Sequence, residues 1–213
     1  MAKNLDASAF VRAVRPEQVV KPPQFSLAEL AGRLVELSGD GASAVLTWAV
    51  GLVLDAQAAG EPVAWLGSDA SSFYPPDAAE SGVDLESLLV VRVNAHARAR
   101  PLAEQLASAA ERLLRSGAFG LCVLDLGPGA QLAQSAQSRL LGLAQRHAAA
   151  VLCLTHKAES SPSLGSLVSL RASAVRVWLG SDRFACELRV HKDKRRGPVW
   201  SQREVCRGPL GLR

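Results

Sequence analysis

The loop after the first predicted strand is the place where this sequence would bind a phosphate. It reads SGDGASAVLT over residues 38–47 and leads into a helix-like stretch. Counted from Gly39, a P-loop of pattern GxxxxGK[ST] would place glycine at 44, lysine at 45 and a hydroxyl at 46. The sequence has Ala44, Val45 and Leu46 there. These side chains supply neither a cation for the phosphates nor a ligand for Mg²⁺. The pattern therefore predicts no nucleotide cofactor and no catalysis at this loop, although Gly39 and Gly41 are kept.

Two aspartates remain as candidates for chemistry near that loop. Asp125 closes the apolar run AFGLCVLDL, and a strand-end aspartate there either holds a metal ion or caps a turn. We expect that Asp125 caps a turn and does not hold a metal ion. An NTPase with an unusual P-loop, in which Asp69 polarises a water and Asp125 holds a metal, stays as a less favoured alternative. The four histidines and four cysteines show no metal-binding or redox spacing, so we predict no metal site and reduced cysteines.

The elements that must position these residues alternate between strand and helix. Apolar runs at 33–38, 62–68, 88–93, 118–126 and 149–156 are predicted strands. Helical patterns lie between them at about 45–60, 101–116 and 131–147, and a short helix at 26–31 begins with a capping-box spacing. Continuous apolar strands alternating with helices indicate an α/β fold with a mostly parallel sheet covered on both faces.

The pattern changes after residue 170, where three strands joined by short turns predict an antiparallel extension of the sheet at about 171–207. Residues 171–213 hold eleven Lys/Arg and four Asp/Glu, whereas residues 1–170 hold thirteen and sixteen. A basic end on a mildly acidic body indicates either a surface for a phosphate backbone or an acidic partner, or a solvated strand edge that blocks aggregation, and the sequence does not favour one over the other. The candidate cations are Lys157, Lys192, Lys194, Arg195 and Arg196. Trp178 and Trp200 lie in the same strands, where we expect core positions rather than base stacking.

The chain is expected to divide into an arm and a core. Residues 1–25 predict a short amphipathic helix followed by a proline-rich extended segment, with Phe10, Val11, Val14 and Phe25 as apolar docking residues. Such an arm either docks on a partner or folds back on its own core. Residues 26–213 predict the α/β core.

Composition excludes several classes of protein. The 213 residues are 48% hydrophobic, which is enough for a packed core and excludes wholesale disorder. No apolar run is long enough to span a membrane, and the N-terminus lacks the apolar stretch of a secretory signal. We therefore expect a cytoplasmic protein without a membrane partner.

Over residues 26–207 the order of these motifs resembles the RecA recombinase core. GRLVELSGDG stands in the place of the family's first strand and P-loop, and SGAFGLCVLDL resembles its Walker B strand, ending in Asp125. Asp69 falls at the position of the family's catalytic glutamate, and His156 at that of a sensor glutamine. VHKDKRRGP resembles a strand whose two lysines, here Lys192 and Lys194, reach a neighbour's nucleotide across a filament interface.

The sequence departs from the RecA family at several motifs, and these departures indicate a more specific group of relatives. The P-loop lysine and hydroxyl are replaced, and the two segments at the positions of the DNA-binding loops are short. A small, ATPase-degenerate relative of RecA resembles the ImuA family, accessory proteins of damage-induced mutagenesis in bacteria. That resemblance implies an adaptor without catalysis in SOS-induced translesion synthesis, with an ImuB-like inactive polymerase, RecA and an error-prone DNA polymerase as partners. The alternatives are sequence-independent DNA binding through the basic strands, and a cell-division inhibitor similar to SulA.

Overall fold

The computed structural model describes residues 23–94, 100–197 and 199–207 of the chain, and an eight-stranded sheet forms their centre. Its spatial order is β3-β2-β4-β5-β1-β6-β7-β8. In this order the first six strands, β3, β2, β4, β5, β1 and β6, run parallel to one another. β7 is antiparallel to β6, and β8 is antiparallel to β7. The bounds are β1 (Arg33–Gly39), β2 (Val63–Ser68), β3 (Leu88–Val93), β4 (Leu121–Pro128), β5 (Ala150–His156), β6 (Leu170–Gly180), β7 (Arg183–Asp193) and β8 (Ser201–Arg207).

Helices cover both faces of the parallel strands. They are α1 (Leu27–Leu30), α2 (Val45–Ala58), α3 (Pro75–Glu80), α4 (Leu102–Arg115) and α5 (Gln134–His147). One hydrophobic cluster joins α1, α2 and α3 to one face of the sheet, and a second joins α4 and α5 to the other. The inner strands β1, β2 and β5 carry apolar residues on both faces because each face is covered.

This architecture confirms the predicted α/β class, the mostly parallel sheet and the antiparallel C-terminal strands. The six-residue helix α3, which begins at Pro75, was not predicted from the sequence. The expected capping interaction is wrong in one detail, because the Ser26 side chain makes no capping hydrogen bond to α1. The predicted N-terminal helix, with Phe10, Val11 and Val14, lies outside the described residues.

The last three strands extend beyond the parallel sheet. β1 pairs with β6 only between Val35–Ser38 and Leu170–Ser173, so the rest of β6 continues past the carboxyl end of β1. That part of β6 pairs with the first half of β7, which pairs with β8. We call residues 174–180, 183–188 and 202–207 the distal sheet. It flanks the edge at which the carboxyl ends of β1, β4 and β5 meet.

Within the described part of the chain, none of the helices has the length and apolar character needed to cross a membrane.

Candidate functional site

The loop between β1 and α2 is tied to β6 by its own backbone. Ala44 N–H donates to Ala174 O over 3.4 Å, and Arg176 N–H donates to Ala42 O over 2.8 Å. Ser43 forms an antiparallel bridge with Val175 between these two bonds. A P-loop holds phosphate with backbone N–H groups that point into the loop. Here the Ala44 N–H bonds to a neighbouring strand instead.

Side chains of the loop fill the space above its first glycine. A Cβ added at Gly39 would lie 2.2 Å from Ser43 Oγ and 2.8 Å from Val45 Cγ2. Ser43 Oγ also accepts a hydrogen bond from Val45 N–H over 3.1 Å. The side chains of Ser43 and Val45 therefore pack directly on the Gly39 backbone. Gly41 is needed for a different reason, since its φ of 59° lies in the left-handed region.

Val45 and Leu46, which occupy the lysine and hydroxyl positions of a P-loop, have different environments. Val45 is buried in the cluster that packs α2 on the sheet. Leu46 is 37% exposed and lines an open groove. Val45 therefore packs into the core beside the loop, whereas Leu46 lines the groove.

The groove beside the loop has a volume of about 870 Å³. One wall is an apolar stripe of α2 side chains, Leu46, Val50 and Leu54, which lie one helical turn apart. The opposite wall comes from the distal sheet, with Arg176 and Phe184 among its lining residues. The groove thus lies at the edge where the topology of an open α/β sheet places ligands.

Asp125, in the second half of β4, caps the loop that follows β2. Its Oδ2 accepts hydrogen bonds from Ser71 Oγ over 2.6 Å, Ser72 N over 3.2 Å and Ser72 Oγ over 3.4 Å. The aspartate is buried, and three donors on one oxygen hold residues 71–73 against the sheet. This is the turn-capping arrangement that the sequence favoured. Asp69 lies on the surface just after β2. Among the described residues, no group of three histidine, cysteine or acidic side chains is placed to hold a metal ion.

Lys157, a candidate for DNA or partner binding, is paired inside the protein. Its ammonium group forms an ion pair with Glu36 Oε1 and donates to Pro162 O over 2.6 Å. Glu36 lies in the middle of β1 and is completely buried. Its other oxygen accepts hydrogen bonds from Ser163 Oγ over 2.8 Å and Leu164 N over 2.9 Å. The pair therefore fixes the 157–164 loop to the sheet.

Glu36 is one structurally important residue that sequence reasoning missed. It is the one acidic side chain in the strand RLVELSG, and an acidic residue inside a buried strand calls for a partner. That signal was present in the sequence. The partner, Lys157, is 121 positions away along the chain and could not be identified from spacing.

The basic turn at 192–196 is occupied by contacts within the chain. Lys194 Nζ donates to Ser166 O over 2.5 Å, with Lys192 Nζ 3.5 Å from the same oxygen. Arg195 Nη2 donates to Ala31 O over 2.7 Å, and Arg196 Nη2 donates to Glu29 Oε1 over 2.5 Å. The lysines thus hold the end of the 157–166 loop, and the arginines hold α1 and the residues before β1. The turn lies at the amino end of β1, opposite the loop at Gly39.

A buried carboxylate organises that turn. Asp193 Oδ1 accepts from Arg33 Nη2 over 2.6 Å and from the Arg195 N–H over 2.9 Å, and its Oδ2 accepts from Trp200 Nε1 over 3.2 Å. Burial alone would raise the pKa of Asp193. The hydrogen bonds from Arg195, Arg33 and Trp200 outweigh burial, so that the pKa lies below its ordinary value.

The remaining aromatic candidates divide between core and surface. Phe25 is buried, packs edge-to-face on Trp48 with ring centroids 6.0 Å apart, and donates its N–H to Gln202 Oε1 over 2.8 Å. This predicted docking residue therefore packs on its own core. Trp200 is half-buried and packs against the same cluster, as expected. The core position expected for Trp178 is wrong, because its side chain is 68% exposed.

In comparisons with known proteins, part of this chain is similar in sequence to RecA. No family model matches the chain. The protein RecA of Mycobacterium tuberculosis (strain ATCC 25618 / H37Rv) is 36% identical over 120 residues, which cover 54% of this chain and 14% of the relative. RecA of Nocardioides sp. is 39% identical over 95 residues, covering 44% of this chain and 25% of the relative. RecA of Mycobacterium avium is 36% identical over 120 residues and covers 32% of that protein.

The matched segment thus spans a third or less of each of these relatives. Together with the α/β sheet, the matches show that this chain has a RecA-like core and a distant, partial similarity to RecA.

Proposed function

We propose that this chain is a non-catalytic RecA-like adaptor in SOS-induced translesion DNA synthesis. In this role it binds an ImuB-like inactive polymerase, RecA, or both, and thereby serves an error-prone DNA polymerase. The observation that carries the proposal is the closed loop at Gly39. In such a core, packed side chains take the place of the phosphate-binding loop. The outer surfaces can still bind other proteins, and an adaptor role of this kind needs no nucleotide.

The chemistry of the loop supports the absence of catalysis. Ser43 and Val45 cover Gly39, and the Ala44 N–H bonds to β6. A phosphate would have to displace both side chains and break that bond, without a lysine to compensate its charge. Asp125, at the position of a Mg²⁺-binding aspartate, is instead hydrogen-bonded to Ser71 and Ser72.

A thermal unfolding experiment with Mg²⁺ and ATP tests this part of the proposal. Binding at a ligand concentration 100 times the dissociation constant would stabilise the fold by about 2.7 kcal/mol. We expect no change in melting temperature at millimolar ATP. A clear upward shift would overturn the non-catalytic assignment and favour the NTPase alternative.

Retention of purified partners tests the adaptor role itself. The full chain is immobilised and exposed separately to RecA and to an ImuB-like protein, after nuclease treatment and without ATP. We expect at least one of them to be retained. If neither is retained, or if nuclease abolishes retention, the adaptor role is wrong.

Two surface variants then locate the bound partner. Leu46 in the groove and Leu89 on the edge strand β3 are similarly exposed, at 37% and 42%. Replacing either with aspartate (L46D, L89D) places a charge on a surface that is already partly solvated, so both proteins should fold. A loss of retention confined to one variant identifies the surface that the partner covers.

A further inference from the structure

The last strand of the sheet has an uncovered edge. β8 pairs with β7 on one side, and among the described residues no strand pairs with its other side. Its seven residues contain no proline, and they pair with β7 without a shift in register. Prolines, bulges and covering loops are the means by which proteins commonly block an exposed edge. β8 therefore offers a straight edge to which another extended segment can be added.

The pairing of β7 with β8 determines which backbone groups lie along that edge. Val190 N–H donates to Trp200 O over 2.8 Å, one position beyond the first paired residues of the two strands. Opposite residues of an antiparallel pair alternate between those that exchange hydrogen bonds and those that do not. The residues of β8 that bond to β7 are therefore Gln202, Glu204 and Cys206. The residues whose N–H and C=O groups point away from β7 are Ser201, Arg203, Val205 and Arg207.

These outward backbone groups have no partner in the described part of the chain at the centre of the strand. Neither the N–H nor the C=O of Arg203 or Val205 is hydrogen-bonded to any residue of 23–94, 100–197 or 199–207. An added strand would supply a donor and an acceptor for each of these residues.

The side chains along the edge form a short pattern. Arg203, Val205 and Arg207 lie two positions apart on β8, so they share one face of the distal sheet. It is the opposite face from that of Glu204 and Cys206, which alternate with them. Val205 is 60% exposed and has an exposed arginine two positions away on either side. The pattern along the edge is therefore cation, apolar residue, cation.

Val205 also ends an apolar row that crosses the distal sheet. Its register partner is Ala185 on β7, and the register partner of Ala185 on β6 is Val177. Val177 is 42% exposed on the same face. An apolar side chain placed beside Val205 would lengthen this row and remove apolar surface from water.

The arginines on either side of the row carry charge that the fold neutralises incompletely. Among the described residues, Arg207 and its register partner Arg183 have no acidic side chain within ion-pairing distance. Arg203 Nε lies 3.6 Å from Glu187 Oε1, but the Glu187 carboxylate also pairs with Arg189. An acidic side chain beside Arg203 or Arg207 would therefore meet a cation that is shared or unpaired.

A second copy of β8 fits this edge poorly. In the registers that match the outward hydrogen-bonding groups and overlap most, a twofold axis passes through Arg203, Glu204 or Val205. The first two registers place Arg203 or Glu204 opposite the same residue of the other copy, and the third places Arg203 opposite Arg207. Each register sets like charges directly opposite each other, which is destabilising.

We infer that the outer edge of β8 is a docking site for an extended acidic segment of a partner protein, which adds a further strand to the sheet. An apolar residue of that segment lies beside Val205, and acidic residues two positions before and after it lie beside Arg203 and Arg207. The pattern reads the same in both chain directions, so it fits a parallel or an antiparallel strand. Backbone hydrogen bonds supply affinity in such additions, and alternate side chains supply specificity.

A polypeptide satisfies this edge better than a phosphate backbone does. Phosphates would contact the arginines, but they would leave the outward N–H groups and the exposed Val205 without matching partners. An extended peptide satisfies the backbone, the apolar row and the charges together. The inference does not rest on the adaptor role proposed above, because it concerns only the chemistry of the segment that the edge binds.

Fluorescence anisotropy of a labelled peptide tests the site with the full chain. The probe is TETVTET, in which both glutamates and the valine lie on one face of a strand. We expect saturable binding. A copy that is N-methylated at every residue keeps the side chains but cannot donate to the edge, and it should bind about tenfold more weakly or worse. The isomer TEVTTET, whose valine lies on the opposite face from its glutamates, should also bind more weakly.

A proline at the centre of the edge tests the backbone contribution. V205P removes an outward N–H that takes no part in the ladder with β7, and edge strands tolerate proline at such positions. We expect V205P to weaken peptide binding about tenfold or more. The matched control is V205T, which keeps the N–H and the branched side chain and should weaken binding about threefold or less.

Charge reversal tests the side-chain pattern. The double variant R203E/R207E should abolish peptide binding, because both attractive contacts become repulsive. R112E/R146E is the matched control, since both arginines are exposed on α4 and α5 and the change in net charge is the same. This control should bind within about twofold of the wild type. R207E alone breaks no ion pair among the described residues and replaces the double variant if that protein does not fold.

The outcomes separate strand addition from other kinds of binding. Circular dichroism and thermal unfolding establish that each variant is folded, and selective loss in V205P and R203E/R207E supports the site. The inference is wrong if the wild type shows no saturable binding, if the N-methylated peptide binds equally well, or if V205P binds like V205T. Displacement of the peptide by oligothymidylate as readily as by unlabelled peptide would show a general polyanion surface instead. A wild-type dimer that V205P converts to a monomer would show that a second copy covers the edge, and it would likewise overturn the inference.

Discussion

Arg33, the first residue of β1, donates through Nη2 to Asp193 Oδ1 over 2.6 Å, and both side chains are almost completely buried. Arg33 also donates to Ser169 O over 2.9 Å. The pair joins the start of the first parallel strand to the end of β7, 160 residues later. It therefore connects the RecA-like core to the antiparallel extension at the point where the basic turn begins.

Breaking this pair should destabilise the fold strongly. In D193N the Arg33 guanidinium stays buried without a counter-charge, and loss of one partner from a buried pair costs roughly 3–5 kcal/mol. We expect a free energy of unfolding lower by about that amount in urea denaturation. E187Q is the matched control, because Glu187 also pairs with arginines on β7 and β8 but lies nearer the surface. It should cost less than about 1 kcal/mol. A D193N protein as stable as E187Q would contradict the structural role of the pair.

Acid should weaken the fold through the same carboxylate. The pKa of Asp193 lies below its ordinary value of 3.8, so the ionised form stabilises the folded state above about pH 4. That contribution is lost as the pH falls further and the carboxylate is protonated. Wild type should therefore lose more stability between pH 5 and pH 3 than D193N does. The measurement is urea denaturation of both proteins at each pH. Equal losses in the two proteins would show that Asp193 makes no contribution to the acid transition.

A second acid-sensitive contact lies near the carboxyl end of β7. The pKa of His191 is lowered, chiefly by burial, from an ordinary value of 6.5, so its neutral form is favoured in the folded state. Its Nε2 lies 2.7 Å from Ser173 Oγ. The resulting stabilisation is present above about pH 6.5 and declines at lower pH. This window is separate from that of Asp193, so a H191Q variant should flatten the stability profile between pH 7 and pH 5 and leave the transition below pH 4 in place.

Removal of the Lys157 ammonium should be far more costly than removal of a surface lysine. K157M leaves the completely buried Glu36 without its cation, and we expect a loss of roughly 3–5 kcal/mol in the free energy of unfolding. The matched control is K194A, since Lys194 donates to Ser166 O from the surface and pairs with no buried acid. K194A should cost about 1 kcal/mol or less. The double variant E36Q/K157M should recover part of the loss, and no recovery would show that the pair is not coupled.

The packing on Gly39 predicts an unusual rescue. A methyl group at Gly39 would meet Ser43 Oγ at 2.2 Å and Val45 Cγ2 at 2.8 Å, so G39A should destabilise the protein by about 1–3 kcal/mol, as overpacking does. Gly39 has an ordinary backbone conformation, which means that the cost comes from side-chain overlap alone. S43G removes the nearest group, and the double variant G39A/S43G should be more stable than the sum of the two single changes. Additive effects would show that the Ser43 side chain does not sit on Gly39.

The local patterns of the sequence determined most of the elements. Apolar runs of strand length predicted β1 to β5, because an inner strand of a covered parallel sheet must be apolar on both faces. The replacement of the P-loop lysine and hydroxyl by Val45 and Leu46 was also visible in the sequence, because a P-loop is a contiguous motif. α3 was missed because its six residues, PPDAAE, are too few for a helical period.

The tertiary structure determined which charged side chains are paired and which aromatic side chains are buried. Whether a cation is free depends on which acid or carbonyl faces it, and those groups lie far away in the chain: Glu36 for Lys157, Ser166 for Lys194, Glu29 for Arg196. The same holds for aromatic residues, since Trp178 in β6 and Trp200 just before β8 both lie in the basic C-terminal region, but only Trp200 packs against the core. Side-chain type and spacing describe local preferences, whereas burial and pairing are set by the packing of strands that are distant in sequence. The sequence therefore indicated the fold and the altered P-loop, and only the packed sheet showed that the basic turn is occupied and that Trp178 is exposed.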